Sequence, residues 1–179
     1  MDYYINFQGV IDQESSLKLT NAILKAPKIN AKKIHLFFSS LGGSIYDGFL
    51  LASIIRNSKV PITIHATNHV DSIANVVYLS SKERTAESYA KFYVHGASVQ
   101  GNFDAKALED KLTEIKTNNI RIAYFVSENC SLKLKEIQKM METGTTISAQ
   151  EAFKKDIVTL IMKREIPLDA LQEDIIYVN

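Results

Sequence analysis

The sequence predicts an α/β fold in which a mainly parallel sheet carries helices on its faces. Short, β-prone apolar runs alternate with stretches of helical spacing along the chain. Two strands that are joined by a helix usually lie parallel in the same sheet, because the helix carries the chain back across the sheet. The length of 179 residues is typical of one domain. We therefore expect a single domain over residues 1–179.

The first half of the chain contains most of the predicted strands. The run Ile-His-Leu-Phe-Phe is typical of a buried strand, and Gly42-Gly43 ends it. Ser44 begins the next predicted helix, and Asp71 or Ser72 begins the one after the following buried run. In order, we predict a strand at 3–10, a helix at 14–26, a strand at 33–39, a helix at 44–57, a strand at 60–66, a helix at 73–79 and a strand at 92–95.

The second half is predominantly helical. From Asp104 the helical spacing continues for about 25 residues, breaks near Cys130 and resumes to Met141. Ser148 and Glu151 have the spacing of a capping box, which predicts a helix over residues 149–155. A last strand is predicted over residues 157–162.

Composition narrows the class of protein. Lys and Arg number 21 and Asp and Glu 20, so the net charge of +1 gives no footprint for nucleic acid. The single cysteine allows neither an intramolecular disulfide nor a cysteine-rich metal site, which favours a reducing, cytoplasmic location. No apolar run approaches the roughly 20 residues that span a bilayer, and the first residues do not resemble a signal peptide. Nucleotide-binding glycine motifs are missing, so we expect no cofactor.

Three features that can carry chemistry follow predicted strands. Gly42-Gly43 follows the strand at 33–39, Ser72 follows the strand at 60–66, and His95 ends the strand at 92–95. Reactive groups of parallel sheets gather just outside the carboxyl ends of the strands. These residues are therefore expected to meet, although they are distant in sequence.

Each feature has a chemical and a purely structural interpretation. The glycine pair is either a tight turn or a source of backbone N–H donors for an oxyanion, each donor contributing about 3 to 4 kcal/mol. Ser72 is either a helix N-cap or a nucleophile, and a nucleophile needs a nearby base. In the second case the N–H of Ile73 would be another oxyanion donor.

The histidines leave the identity of the base open. His95 is one candidate, and His69, three residues before Ser72, is a rival that spacing alone does not exclude. His65, His69 and His95 are also possible metal ligands, but no pair has the H-E-x-x-H spacing, so we expect no metal.

Four segments in register resemble the proteolytic subunit of the Clp protease. The run from Ile34 to Gly48 resembles the segment around that family's oxyanion glycines, and Val70-Asp-Ser-Ile-Ala stands where the family has its nucleophile. Tyr93-Val-His stands where the family has its base, and Ser148-Ala-Gln-Glu-Ala matches a helix start. The order and spacing agree over about residues 5–162.

The resemblance implies a ClpP/crotonase-like fold of repeated ββα and βαβ units with a protruding helical handle, here at about 98–130. It implies Ser72 as the nucleophile, His95 as the base, and Gly43 and Ile73 as oxyanion donors. It also implies a homo-oligomeric ring, heptameric or double, and peptide or unfolded protein as substrate. The segment near 98–103 resembles the strand that binds extended peptide by strand addition.

This chain departs from the family at several positions. The family's acid falls 49 residues after His95, where this chain has Gly144. Leu41 replaces the proline before the glycines, Asp71 replaces the alanine before the nucleophile, and Asp-Ile-Val-Thr at 156–159 replaces G-L-I-D. The chain begins almost at the first strand, so we do not expect a AAA+ ATPase partner.

Three functions are therefore considered. The first is a serine endopeptidase that cuts peptides with Ser72 and His95. The second is a catalytically impaired ring subunit with a structural or peptide-binding role, for which Gly144 is the argument. The third is a crotonase-like protein that handles acyl-CoA, although no residue in the sequence points to CoA.

Overall fold

The sheet has eight strands in the described part of the chain. The structure is a computed structural model that describes residues 1–176. The strands are β1 (Asp2–Gln8), β2 (Lys33–Ser40), β3 (Ile62–Asp71), β4 (Glu83–Ala86), β5 (Lys91–Val94), β6 (Thr145–Ser148), β7 (Leu160–Ile161) and β8 (Leu171–Ile176). The helices are α1 (Gln13–Lys25), α2 (Ile45–Arg56), α3 (Ala74–Leu79), α4 (Ala105–Ser127), α5 (Leu134–Thr143) and α6 (Ala149–Lys154).

The predicted α/β class with a mainly parallel sheet is confirmed. The strands run in the order β6-β5-β3-β2-β1-β8, and β4 joins β3 to β7. Every pair is parallel except β5 with β6. The carboxyl ends of β2, β3 and β5 therefore lie at one edge of the sheet, which is where the sequence placed the site. The single-domain prediction for 1–179 stays a prediction, and residues 177–179 lie outside the described residues.

Strand β3 is longer than predicted, and it pairs with two different strands on the same side. Its first half, Thr63 to Ala66, pairs with β4, and its last residues, His69 to Asp71, pair with β5. The register against β2 shifts after Phe38, which marks an irregularity where extra residues are accommodated in β3. The prediction of a strand at 60–66 stopped at this irregularity, because the polar stretch beyond it lacks the apolar signal of a buried strand.

Three short strands were not predicted, and two predicted strands are shorter than expected or not formed. β4, β6 and β8 lack the continuous apolar run of a buried strand, and each forms against a strand that is already in place. The predicted strand at 157–162 shrinks to β7. The expected strand at 98–103 is not formed, because no other segment of the described chain pairs with it.

The handle is confirmed as a helix that leaves the body. Asp104 caps α4, its carboxylate accepting from the N–H of Ala107 at 2.8 Å. Only residues near the carboxyl end of α4 are buried, namely Ile122, Ala123 and Val126. The amino-terminal half of α4 is therefore largely exposed. At the other end of the chain, the predicted capping box of α6 is present between Ser148 and Glu151.

The edge strand β8 is fastened to the body by a carboxylate. The Tyr3 hydroxyl donates to Glu173, and the ammonium of Lys25 lies 2.9 Å from the same oxygen. The Tyr3 bond, followed by the Lys25 bond and charge, lowers the pKa of Glu173 below its usual 4.5. A carboxyl with a lowered folded pKa stabilises the fold above its unfolded pKa, and this stabilisation is lost as the pH falls through the folded value.

We expect Glu173→Gln to lower the free energy of unfolding at pH 7 by about 1–2 kcal/mol, because a charged acceptor becomes neutral. The gap to the unchanged protein should close below about pH 4, where the native carboxylate is protonated too. Thermal melts between pH 7 and pH 3 measure both effects. Glu165→Gln is the control, since Glu165 pairs with Lys163 at the surface, 78% and 76% exposed. A gap that widens towards low pH would contradict this account of β8.

Candidate active site

The turn after β2 presents a backbone N–H. Gly42 and Gly43 have φ of +96° and +143°, values that side-chain-bearing residues rarely adopt. Ile11 holds the turn: its N–H donates to Gly42 at 2.8 Å, and its carbonyl accepts from Ser44 at 2.7 Å. In this parallel bridge the N–H of Gly43 points away from Ile11, and it donates to no acceptor within residues 1–176. A Cβ on Gly43 would overlap the Ile11 carbonyl oxygen.

Ser72 sits on a strained turn between β3 and α3. Its φ is +57°, which is uncommon for a residue with a side chain and is typical of functional turns. Its N–H donates to the carbonyl of Tyr93 on β5 at 2.8 Å, so β5 holds the turn in place. The N-cap interpretation is wrong: Ile73 is the N-cap of α3, and no side chain caps that helix. Helix capping therefore does not explain the strained backbone of Ser72.

The glycine turn and Ser72 are in contact. A Cβ added to Gly42 would lie 2.7 Å from the Ser72 Cβ and 3.3 Å from its Oγ. Within the described chain the N–H of Ile73 also donates no hydrogen bond, because it opens α3. The N–H of Ile73 directly follows Ser72 in the chain, and the N–H of Gly43 directly follows Gly42, which contacts Ser72. This arrangement can bind an oxyanion that forms next to Oγ.

Asn75 locks the Ser72 turn, and the sequence analysis missed it. Its side-chain amide, 3% exposed, donates to the carbonyls of Val70 at 3.1 Å, Ser72 at 3.1 Å and Tyr93 at 2.9 Å. It therefore ties the end of β3, the turn and β5 together. The only indication in the sequence is that Asn75 is a single amide among the apolar residues of the predicted helix 73–79.

His95 follows β5 directly and lies on the same side of this strand as Tyr93. The two rings stack with centroids 4.8 Å apart and planes 21° apart. Both side chains are half-buried. The main-chain bond between Ser72 and Tyr93 places the Ser72 turn two residues from His95 along β5. The structure thus brings Ser72, the glycine turn and the strand that ends in His95 to one edge of the sheet.

Gly144, which stands where the resemblance placed an acid, lies against the Tyr93 ring: an ideal Cβ on it would be 2.7 Å from Tyr93 Oη. Strands β5 and β6 are antiparallel and their pairing ends with Val94 opposite Thr145, so His95 and Gly144 each adjoin this last pair. Gly144 ends α5 with a left-handed φ of +63°. It contributes only backbone at this position. The neighbouring Thr143 and Thr145 hydroxyls contact each other at 2.9 Å.

The rival base His69 is paired with a carboxylate. Its Nδ1 lies 3.3 Å from Asp71 Oδ2, with the two side chains 40% and 13% exposed. Burial raises the pKa of the Asp71 carboxyl, and electrostatic interaction with His69 and, more weakly, with His95 opposes this shift. Asp71 Oδ1 is buried and has no hydrogen-bond partner within residues 1–176. His69 lines a separate cleft of about 210 Å³ at the ends of β1 and β2.

His65 does not join the other histidines. It is 1% exposed, and its ring nitrogens contact Thr85 Oγ1 at 2.8 Å and Glu87 at 3.3 Å. Burial lowers its pKa. No group of three or more His, Cys, Asp or Glu side chains in residues 1–176 has the geometry to hold a metal ion. The three histidines considered as metal ligands are therefore not gathered into such a group in the described part of the chain.

A cleft of about 490 Å³ starts at the glycine turn. It runs from Gly43 past the start of α2 to residues 97–99 and the side of α4, where it is lined by Lys111, Glu114, Ile115, Asn118 and Arg121. Residues 97–99 are not in a strand. The N–H of Ala97 donates to Asn119 Oδ1 at 2.7 Å, whereas the backbone of Ser98 and Val99 makes no hydrogen bond within residues 1–176 and is open to another extended chain. We call this cleft the groove; it connects the glycine turn to the segment 97–99.

The comparisons with known proteins agree with this fold. A sequence model described as Clp protease matches residues 2–165. The chain also resembles an Asn-to-Asp point mutant of ClpP1 from Listeria monocytogenes, with a TM-score of 0.82 and 21% sequence identity over 90% of this chain and 91% of that one. The architecture is therefore the ClpP fold, as the four sequence segments indicated. The chain belongs to the Clp protease family.

Members of this family are serine peptidases that form oligomeric rings and degrade peptides or proteins. In residues 1–176 we find no helix with the length and apolar character needed to cross a bilayer.

Proposed function

We propose that this chain is a serine endopeptidase in which Ser72 is the nucleophile, His95 is the general base and the N–H groups of Gly43 and Ile73 bind the oxyanion. The observation that carries the proposal is the strained Ser72 turn, which faces the glycine turn and is bonded to β5. A serine that served only as a cap or a surface residue would not need a φ of +57°.

The first half of the reaction forms an acyl-enzyme. Ser72 Oγ bonds to the carbonyl carbon of the scissile peptide while His95 takes the hydroxyl proton. The carbonyl oxygen becomes an oxyanion between the two N–H groups. When this intermediate collapses, the C–N bond breaks and His95 gives its proton to the leaving amine.

The second half releases the product. His95 takes a proton from a water molecule, and the resulting hydroxide bonds to the acyl carbon. Collapse breaks the ester bond to Ser72 Oγ, which regains its proton from His95. The enzyme returns to its starting state with no cofactor.

The groove indicates the class of substrate. An extended peptide can add as a strand along Ser98 and Val99 and reach the glycine turn, because their backbone groups have no partner within residues 1–176 and only the N–H of Ala97 is already bonded, to Asn119. We propose short peptides or unfolded protein as substrate and a homo-oligomeric ring, heptameric or double, as the cytoplasmic assembly.

Hydrolysis of an unstructured fluorogenic peptide by the purified oligomer tests the proposal. We expect measurable hydrolysis by the unchanged protein and loss of turnover to background in Ser72→Ala. Ser88→Ala is the matched control, since Ser88 is exposed in the loop before β5, and it should keep full activity. Equal hydrolysis by Ser72→Ala and the unchanged protein would contradict the proposal.

One observation favours a second candidate function. Gly144 has no side chain that could orient His95, which fits a ring subunit that binds peptide without cutting it. The same assay separates the two functions. Binding of a labelled unfolded peptide by the oligomer, together with no hydrolysis, supports the second candidate.

A further inference from the structure

We propose that Tyr93 replaces the missing acid as the residue that positions His95. The inference rests on the proposed function, because it assumes that His95 is the general base. It concerns how this chain works with a glycine at position 144, and it identifies Tyr93 as a positioning residue that does not itself touch the substrate.

Tyr93 is held in place on both sides. It pairs with Asp71 on β3 and with Thr146 on β6, so β5 is an inner strand at this point. Its carbonyl accepts both the Ser72 N–H and the Asn75 amide. The Tyr93 backbone is thus fixed to the nucleophile turn, and its ring carries His95 on one face at 4.8 Å.

The Tyr93 hydroxyl fills the space of an acid side chain. An ideal Cβ on Gly144 would lie 2.7 Å from Tyr93 Oη and 3.5 Å from its Cζ. Carbon atoms do not approach an oxygen so closely, so any side chain at 144 would force the tyrosine ring to move. Gly144 and Tyr93 are therefore a matched pair, in which the glycine makes room for the ring that stacks on His95.

An acid in this position orients the imidazole and stabilises the imidazolium, and stacking on Tyr93 does both more weakly. A ring 4.8 Å away with its plane 21° from that of the imidazole limits rotation of His95. The electron-rich face also attracts the imidazolium that forms when His95 takes the Ser72 proton. An attraction of this type changes a rate by roughly two- to thirtyfold, against about 10⁴ for a buried carboxylate.

Asp71 is the other group near His95 that could take this role. Its carboxylate senses the charge of His95, but its Oδ2 pairs with His69. The contact between Gly144 and the ring of Tyr93 favours Tyr93, and we find no comparable contact between Gly144 and Asp71 among the nearest atoms. Asp71 therefore serves as the competing candidate in the experiment.

The experiment measures kcat and KM of the oligomer on the fluorogenic peptide. Tyr93→Leu should lower kcat about tenfold and leave KM within about twofold, and Tyr93→Phe should keep most of the turnover, because it retains the ring. Tyr89→Leu is the control, since Tyr89 is 65% exposed outside the site. Equal kcat for Tyr93→Leu and the unchanged protein overturns the proposal, as does a tenfold loss in Asp71→Asn alone.

A second arm does not depend on the folding of Tyr93→Leu. Gly144→Asp in the unchanged background should give no gain in kcat, because the hydroxyl of Tyr93 occupies the site. Combined with Tyr93→Leu, it should raise kcat at least about tenfold above Tyr93→Leu alone. A tenfold gain from Gly144→Asp by itself would overturn the proposal.

A third readout keeps the two proposals apart. The His95 ring protons should show an upfield ring-current shift in NMR spectra of the unchanged protein and of Tyr93→Phe, and lose it in a variant without the ring. If the unchanged protein shows this shift but cuts no peptide, the peptidase proposal fails while the stacking stands. If it cuts peptide and shows no such shift, only the Tyr93 proposal fails.

Discussion

His95→Ala is expected to lower peptide hydrolysis by roughly 10² to 10⁴-fold, which is the usual contribution of a general acid–base residue. The imidazole both activates Ser72 and protonates the leaving amine, so its removal affects each half of the reaction. KM should change little, because His95 lies at the end of β5 and outside the groove that receives the peptide. Steady-state kinetics on the fluorogenic peptide provide both numbers.

The matched control is His69→Ala. His69 is the rival base in sequence, but its Nδ1 pairs with Asp71 and its ring lines another cleft. We expect this variant to retain turnover within a few-fold of the unchanged protein. If His69→Ala abolishes hydrolysis and His95→Ala does not, the assignment of the base is wrong.

Gly43→Ala is expected to damage both catalysis and folding. A methyl group at this position would overlap the carbonyl of Ile11, which accepts the Ser44 N–H and so closes the turn. The φ of +143° adds strain, so we expect a loss of about 2–4 kcal/mol in the free energy of unfolding. Since the Gly43 N–H would also be displaced, turnover should fall by a further factor of about 10² to 10³.

Thermal melts and kinetics of the folded fraction separate the two effects of Gly43→Ala. Leu41→Ala is the control, because Leu41 is 59% exposed two residues earlier in the same turn. It should change stability by less than about 0.5 kcal/mol. Unchanged stability and turnover in Gly43→Ala would mean that this turn is not the oxyanion site.

The fold could be predicted from the sequence because its central strands are short, mostly apolar and largely buried. The strands around Leu36 and Ile64 are flanked by helices, and that alternation is enough to give parallel pairing. The short strands β6 and β8 could not be predicted in this way. They form only because β5 and β1 present open edges, and an edge is a property of the folded sheet.

The position of the site could also be predicted, but its local geometry could not. Strand ends placed Ser72, His95 and the glycine pair at one edge. The left-handed φ of Ser72 depends on contacts with Tyr93 and Asn75. Tyr93 is distant in sequence, and Asn75 lies in a predicted helix where its amide gives no sign of this contact. For the same reason, the sequence could not predict that the Tyr93 hydroxyl occupies the space next to Gly144, because this contact depends on the pairing of β5 with β6.

The most direct test of the central claim is to locate the covalent adduct of a fluorophosphonate probe on the intact oligomer. We expect one adduct per chain, on the tryptic peptide of residues 60–82, with fragmentation assigning it to Ser72 and not to Ser80 or Ser81. The adduct should be lost in Ser72→Ala and form far more slowly in His95→Ala. No adduct, or an adduct on another serine, would contradict the assignment of Ser72 as the nucleophile.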